Sequence, residues 1–263
     1  MKELYCEKQS SIHNLNARVK LIFTLVLLIC TNITPSGAWA PLILFFSVLL
    51  GLILLSQINF KNILLRSLIS TPFVLAAIPL VFTGPEPSHI LTIGHGFQLH
   101  ISEAGSLRFI SISLKSWLSL IAAILLTATT GYSALLTAFR KLGLPLILVS
   151  ILSLMWRYLS LMVEEAQRLM QARNSRSVGN NKYFRAFRNI FWRAQVTGKM
   201  AGNLFLRSIE RSDRVYAAMC SRGYNGEPLS SEAKPITKND NLILIIAILL
   251  LLVITLTSIF YLS

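Results

Sequence analysis

Two tripeptides, Ser175-Arg176-Ser177 and Ser221-Arg222-Gly223, each close a basic stretch whose apolar residues recur at helical spacing. An arginine at a helix end presents a planar, permanently charged fork that bonds carboxylates and carbonyls bidentately, which a flexible lysine does less well. The small flanking residues let a partner backbone come close. The chemistry on offer is gripping, not bond-breaking. Arg222 also falls in what reads as the last turn of its helix, where its charge suits the negative end of the dipole. Spacing alone leaves docking and self-capping equally open for it.

Bond-making chemistry has little support elsewhere. Gly198-Lys199 lacks the earlier glycine and the following Ser or Thr of a phosphate-binding loop, so no ATP hydrolysis of that kind is expected. His89, His95 and His100, with Glu86 and Glu103 nearby, fit no standard ligand spacing and read as a solvated loop rather than a metal site. Cys6, Cys30 and Cys220 are odd in number and have no paired spacing, which implies neither a disulfide framework nor zinc. No serine stands in a nucleophile-elbow context. The expectation is a non-enzyme with no cofactor and no resident metal.

The chain around the arginines belongs to a membrane. It is 54% hydrophobic and 14% charged, with a mean hydropathy of +0.61, a balance unlike that of a globular domain. Runs at 19–33, 38–56, 63–83, 107–130 and 242–261 read as spanning helices, because backbone groups in lipid must bond within their own segment. No carboxylate falls inside them, which argues against a proton-coupled carrier. Arg66, Arg108 and Lys115 lie near span ends and are expected to snorkel. Ala38-Trp39-Ala40 has the pattern of a cleavage site, but the polar lead with both signs of charge marks 19–33 as a retained span.

Charge sets the topology. The net charge of +14 lies mostly outside the apolar runs and reflects the positive-inside bias and anionic lipid rather than nucleic acid. Lys2, Lys8, Arg18 and Lys20 put the N-terminal lead in the cytoplasm, as Lys61, Arg66, Arg140 and Lys141 do for later connections. The connections 34–37 and 84–105 carry no Lys or Arg and face outside. The segment 164–240 holds fourteen Lys or Arg against seven Asp or Glu, so it is cytoplasmic too. The stretch 144–163, interrupted by Arg157, then reads as a helix against the cytoplasmic face. The expected fold is an all-α integral membrane protein with about five transmembrane helices plus cytoplasmic amphipathic coupling helices. Its divisions are an N-terminal transmembrane domain of four spans (1–143), a cytoplasmic coupling domain (144–240) and a C-terminal transmembrane helix (241–263).

Three helices are predicted in the polar segment. The first covers 151–176, with Glu164 and Arg168 as an i,i+4 pair and Gly179 as its stop. The second covers 183–200, where Tyr183, Phe184, Phe187, Phe191 and Trp192 interleave with Arg185, Arg188, Arg193 and Lys199. Such interleaving can serve single-stranded nucleic acid, but here it reads as an interfacial helix on the bilayer. The third covers 202–222, with Phe205, Ile209, Ser212, Tyr216 and Met219 as its packing face and Glu210–Arg214 as an ordered pair. Arg211 and Arg222 project within about 20° of each other on a 3.6-residue helix, and Gly223 is placed to end it.

The run Glu210-Arg211-Ser212-Asp213-Arg214-Val215-Tyr216, with Met219 and Arg222-Gly223-Tyr224-Asn225-Gly226, resembles the transmembrane (T) component of energy-coupling factor (ECF) transporters. This is the CbiQ/EcfT family, and the likeness is strongest to its cobalt and nickel branch. It extends through Leu142-Gly143-Leu144-Pro145, Arg157-Tyr158 and Glu164-Glu165-Ala166, covering about 107–226. In that family two Ala-Arg-Gly-like motifs end coupling helices, and each docks in a groove of one of two ABC-type ATPase subunits. The resemblance implies that Arg176 and Arg222 dock, within Ser175-Arg176-Ser177 and Ser221-Arg222-Gly223, supported by Glu210, Arg211, Arg214 and Tyr216. Both alanine positions are serine here, and the first glycine is Ser177. The resemblance further implies a multi-pass subunit of a bacterial or archaeal plasma membrane. It would link two ATPases to a substrate-binding membrane S component and import cobalt or nickel on ATP hydrolysed by its partners. A T component serving a vitamin, and a carrier or scaffold outside this family, are the alternatives. No internal repeat of the kind many carriers show is found.

Overall fold

A computed structural model describes residues 10–58, 60–81, 88–93, 97–176, 186–226 and 237–262. They fall into two compact units, one built from Lys2–Leu142 with Glu232–Ser263, the other from Gly143–Ser231. The first unit holds α1 (Ser11–Asn14), α2 (Ala17–Ile33), α3 (Trp39–Ser56), α4 (Phe60–Ser67), α5 (Thr71–Ala76), β1 (Ser88–Ile93), β2 (Phe97–Ser102), α6 (Glu103–Thr129) and α7 (Tyr132–Lys141). The second holds α8 (Leu146–Arg176) and α9 (Ala186–Cys220), after which α10 (Lys238–Leu262) returns to the first. By length and composition α3, α6, α8 and α10 can each cross a bilayer. The protein is an all-α integral membrane protein that carries one small hairpin.

The core of the first unit lies where α2, α3, α6 and α10 meet. Leu27, Phe45, Leu49, Leu118, Ala122 and Leu251 are fully or almost fully enclosed there. Ile43, Leu54 and Phe260 stay exposed, as expected of side chains whose solvent is lipid. Lipid tails are as apolar as the core, so close packing and hydrogen bonds, not water exclusion, must hold these helices together. Hydroxyls follow the same economy. Thr24 donates to the Leu21 carbonyl, Thr31 to Leu28, Thr129 to Leu125 and Thr255 to Leu251, so these four buried hydroxyls are satisfied inside their own helices.

Two lysines fasten α2 against α6. Lys20, 9% exposed, donates to the carbonyl of Thr129 at the C-terminal end of α6, at 3.0 Å. In return Lys115 of α6 donates to the carbonyl of Thr34, the residue that caps α2. Each cation meets the negative end of the other helix. One turn before Lys115, the buried Ser111 hydroxyl accepts the Gly37 N–H at 3.1 Å, and Gly37 holds the positive φ of 96° that this turn requires. The expectation that Lys115 snorkels is therefore corrected: its ammonium is spent on a neighbouring helix end.

The run 63–83, expected as one span, is broken. It is made of α4, a 3₁₀ turn at Leu68–Ser70, α5 and a second 3₁₀ turn at Ile78–Val81. Pro72, at the start of α5, cannot donate to the preceding turn. The hydroxyls of Ser67, Ser70 and Thr71 bond the carbonyls of Leu64, Ser67 and Leu68 in the same region. The second turn presses on α6 at Gly105, where an added Cβ would lie 2.6 Å from the Leu80 carbonyl oxygen. Part of the segment expected as an outer loop is the antiparallel hairpin β1–β2, in which His89 stands opposite Ile101 and His100 opposite Ile90. Glu86 and His95 lie outside the described residues.

Candidate functional site

The arginine-bearing segments are two long helices. α8 is one helix of 31 residues, starting at Leu146 rather than 151. α9 is one helix of 35 residues, so the two helices predicted at 183–200 and 202–222 are a single rod. Gly202 does not stop it. A mid-helix glycine costs about 1 kcal/mol relative to Ala, too little to break a helix that is favourable on both sides. Arg185 lies outside the described residues.

Three contacts run the two helices antiparallel. Near the C-terminal end of α8, the Arg173 guanidinium approaches Thr197 Oγ1 at 3.4 Å. In the middle, Glu165 takes Arg207 at 2.6 Å and Arg211 at 3.5 Å. Near the N-terminal end of α8, Leu154 and Tyr158 share a cavity with Val215, Met219 and Arg222 of the α9 end. Among the described side chains of α9 the half-buried positions are Val196, Met200, Leu204, Ser208, Arg211, Val215 and Met219. That face is turned by one residue, about 100°, from the predicted one: Phe205, Ile209 and Tyr216 are exposed, as is Ser212, and only Met219 is shared. Two apolar stripes run along α9, and the Glu165 ion pairs select the one carrying Arg211. The predicted pairs within a helix, Glu164–Arg168 and Glu210–Arg214, do not form among the described residues.

The α9 terminus is built to hold Arg222 in place. The Tyr224 N–H donates to the Met219 carbonyl and the Gly223 N–H to that of Cys220, both at 3.0 Å, and Gly223 has φ +78°. This is a Schellman motif with Arg222 as the C-cap, and its next residue needs the left-handed conformation that glycine adopts freely. Arg222 is exposed. The serines of the two tripeptides behave alike: Ser175 donates to the Gln171 carbonyl at 3.1 Å and Ser221 to that of Ala218 at 3.0 Å. Both hydroxyls are thus consumed by their own helices. Arg176 is the last residue of α8, and Ser177 lies outside the described residues.

Of the supporting residues, Arg211 joins the Glu165 clamp, whereas Glu210, Arg214 and Tyr216 are exposed. A hydrogen bond to Cys220, one turn on, raises the Tyr216 pKa above the usual phenol value. Glu165 and Arg157 are the residues that sequence reasoning left without a role. Among the described residues no three metal-ligating side chains gather. Among the described residues the arrangement offers charged helix ends on a braced pair of rods and no reacting group.

Comparison with known proteins identifies the family. The family described as "Cobalt transport protein", CbiQ, matches residues 8–234. An uncharacterized protein of Methanocaldococcus jannaschii is 28% identical over 86% of this chain and 75% of its own length. An energy-coupling factor transporter transmembrane protein EcfT of Acidaminococcus fermentans is 26% identical over 84% of this chain and 82% of its own length. A Methanocorpusculum labreanum protein named as a fused cobalt transport protein, CbiMQ, is 24% identical over 82% of this chain but only 35% of its own length. The chain belongs to the CbiQ/EcfT family: it is a non-catalytic, multi-pass transmembrane T component of ECF transporters, in the plasma membrane.

Proposed function

We propose that this chain couples two cytoplasmic ABC-type ATPase subunits to a substrate-binding S component, with residues 144–240 as the coupling domain. The observation that carries the reading is the antiparallel α8–α9 pair with one arginine-bearing end at each extremity. Arg176 ends α8 beside the Thr197 region of α9, and Arg222 ends α9 beside the start of α8. Some 25 residues of helix at 1.5 Å each separate them, roughly 35–40 Å. One groove cannot hold both, so the spacing favours two docking partners. Rods braced through Glu165 can carry closure of the ATPases to the membrane as a lever movement. The Lys and Arg distribution favours a cytoplasmic position for this pair.

Cobalt or nickel is the proposed substrate. Its support is the matching family's description, the name of the M. labreanum relative and the likeness at 210–226. The EcfT name of the A. fermentans relative mentions no metal, and a T component serving a vitamin is kept as the second reading. Affinity purification from native membranes, with every stably bound subunit identified, tests the coupling role. Two ATPase polypeptides and a small membrane protein are expected, together with uptake of radioactive cobalt or nickel in cells expressing the complex. Purification without any ATPase would refute the role, and uptake of neither metal would refute the substrate.

A further inference from the structure

The core of the first unit is not filled at the end that holds Lys20. A cavity of about 120 Å3 lies there between α2, α3, α6 and α10, and Ile12 of α1 and Leu15 just after it close on its end. Its floor is buried and includes Val19, Leu49, Ala122 and Leu125. Its rim is open to the side of the bundle: Phe23, Leu52, Leu126 and Leu244 are half-buried, and Ile243 is 46% exposed. From Thr129 to Ala122 the lining covers seven residues of α6, about 10 Å at 1.5 Å each, so the space is a slot along the helix. The polar side chains in its lining are Lys20, Thr24 and Thr129. Lys20 donates to the carbonyls of His13 and Thr129, Thr24 to that of Leu21, and Thr129 to that of Leu125. A buried water needs about two to four polar partners, and apolar cavities of about 150 Å3 stay dry and take hydrocarbon instead.

From this we infer that the slot holds one acyl chain of a membrane lipid, with the glycerol end level with Lys20 and the chain running toward Ala122. Helices in lipid are held together by close packing, and an empty slot forfeits the dispersion contacts of its whole lining. The medium at its open side is hydrocarbon, and an acyl chain is narrow enough to enter. A partner helix, about 10 Å across, is too wide. The Lys and Arg distribution favours the cytoplasm for the Lys20 end, so the lipid belongs to the inner leaflet. Lys20 already meets two carbonyls, so the slot selects the chain and not a headgroup. No lining residue belongs to α8 or α9, and the inference is independent of the coupling role.

The test uses the full-length chain in nanodiscs of phosphatidylcholine doped with a phosphatidylcholine that carries a diazirine in the upper half of one acyl chain. The protein is moved into detergent, exchanged repeatedly and then irradiated, and the adducts are mapped by mass spectrometry. Adducts at Leu125 and Leu244 should exceed those at Leu54, 69% exposed on the outside of α3, by about tenfold or more, a preference of about 1.4 kcal/mol. Ala247→Phe and Leu126→Phe fill the slot from two different helices. Each should cut the slot adducts about tenfold and raise the Tm of lipid-depleted protein toward that of lipid-replete wild type. Ile245→Phe, at a 59% exposed position of α10 outside the slot, should change neither. Equal adducts at Leu125 and Leu54 in the wild type overturn the inference. So do slot adducts that persist in a filled variant with the wild-type elution profile. A wild type whose Tm does not fall on lipid depletion, while the filled variants gain stability, shows an empty slot and overturns it as well.

Discussion

Glu165 bears the brace between the two rods, and its removal has a calculable effect. The carboxylate is 20% exposed, and its partners Arg207 and Arg211 are 51% and 34% exposed. A fully exposed pair contributes about 0–1 kcal/mol, and a well-made charge-assisted hydrogen bond about 1.5–3 kcal/mol. Half-exposed arginines on a largely covered carboxylate fall between these limits, so Glu165→Ala should loosen the α8–α9 pair by about 1–2 kcal/mol. Hydrogen exchange at the amides of α9 around Arg207–Arg211 reads this directly, with roughly 5- to 30-fold faster exchange expected. Glu165→Gln, which keeps the shape and one acceptor, should lie between Ala and wild type. A cycle with Arg207→Ala should return a coupling energy of about 0.5–1.5 kcal/mol. Transport should fall while the ATPases still co-purify, because the lever is slackened but its ends remain. Exchange rates in Glu165→Ala equal to wild type would show that the brace lies elsewhere and refute the reasoning.

Gly105→Ala drives a Cβ to 2.6 Å from the Leu80 carbonyl oxygen and 2.9 Å from that of Val81. Both are backbone atoms, so the melting temperature in detergent should drop, by an amount matching about 1–3 kcal/mol of overpacking. Lys115→Met leaves the Thr34 carbonyl without its donor, and thiol accessibility of a cysteine placed at Ser36 should rise above wild type. Topology is checked by labelling intact cells from outside: a cysteine at His95 should react and one at Arg188 should not. Outside labelling at Arg188 would contradict the cytoplasmic placement of α9.

The helix end at Arg222 was legible because its signal is local, whereas the stop expected at Gly179 lies outside the described residues. Gly223 after Arg222 is a helix stop in one dimension, and the Schellman bonds make it one in three. The spans at α3, α6 and α10 follow from length and apolarity alone, but the same criteria admit α8, whose reading as an interfacial helix rests on Arg157 and the charge of 164–240 instead. Breaks and pairings were less visible. Pro72 and Pro79 stood inside an apolar run that hydropathy reads as continuous, while the backbone reads them as interruptions. The division of 183–222 into two helices did not hold either, because one glycine at 202 cannot overrule the propensity around it. The packing face of α9 was off by one residue because a helix with two apolar stripes does not say which faces its neighbour. That choice depends on Glu165, which sits far away in the chain on α8 and carries no periodic signal. Lys20 and Lys115 each cap a helix distant in sequence, which charge counting cannot foresee.

The central claim is that Arg176 and Arg222 each hold a different ATPase subunit. It is tested most directly by measuring metal uptake and ATPase co-purification side by side for Arg176→Ala, Arg222→Ala, the double variant and Arg185→Ala. Each lost charge-assisted contact costs about 1.5–3 kcal/mol, so either single change should weaken transport more than assembly. The double change should release the ATPases and abolish transport, while Arg185→Ala, one of several cations in its stretch, should match wild type. A double variant that keeps its ATPases and transports at the wild-type rate would reduce both arginines to helix caps and contradict the account.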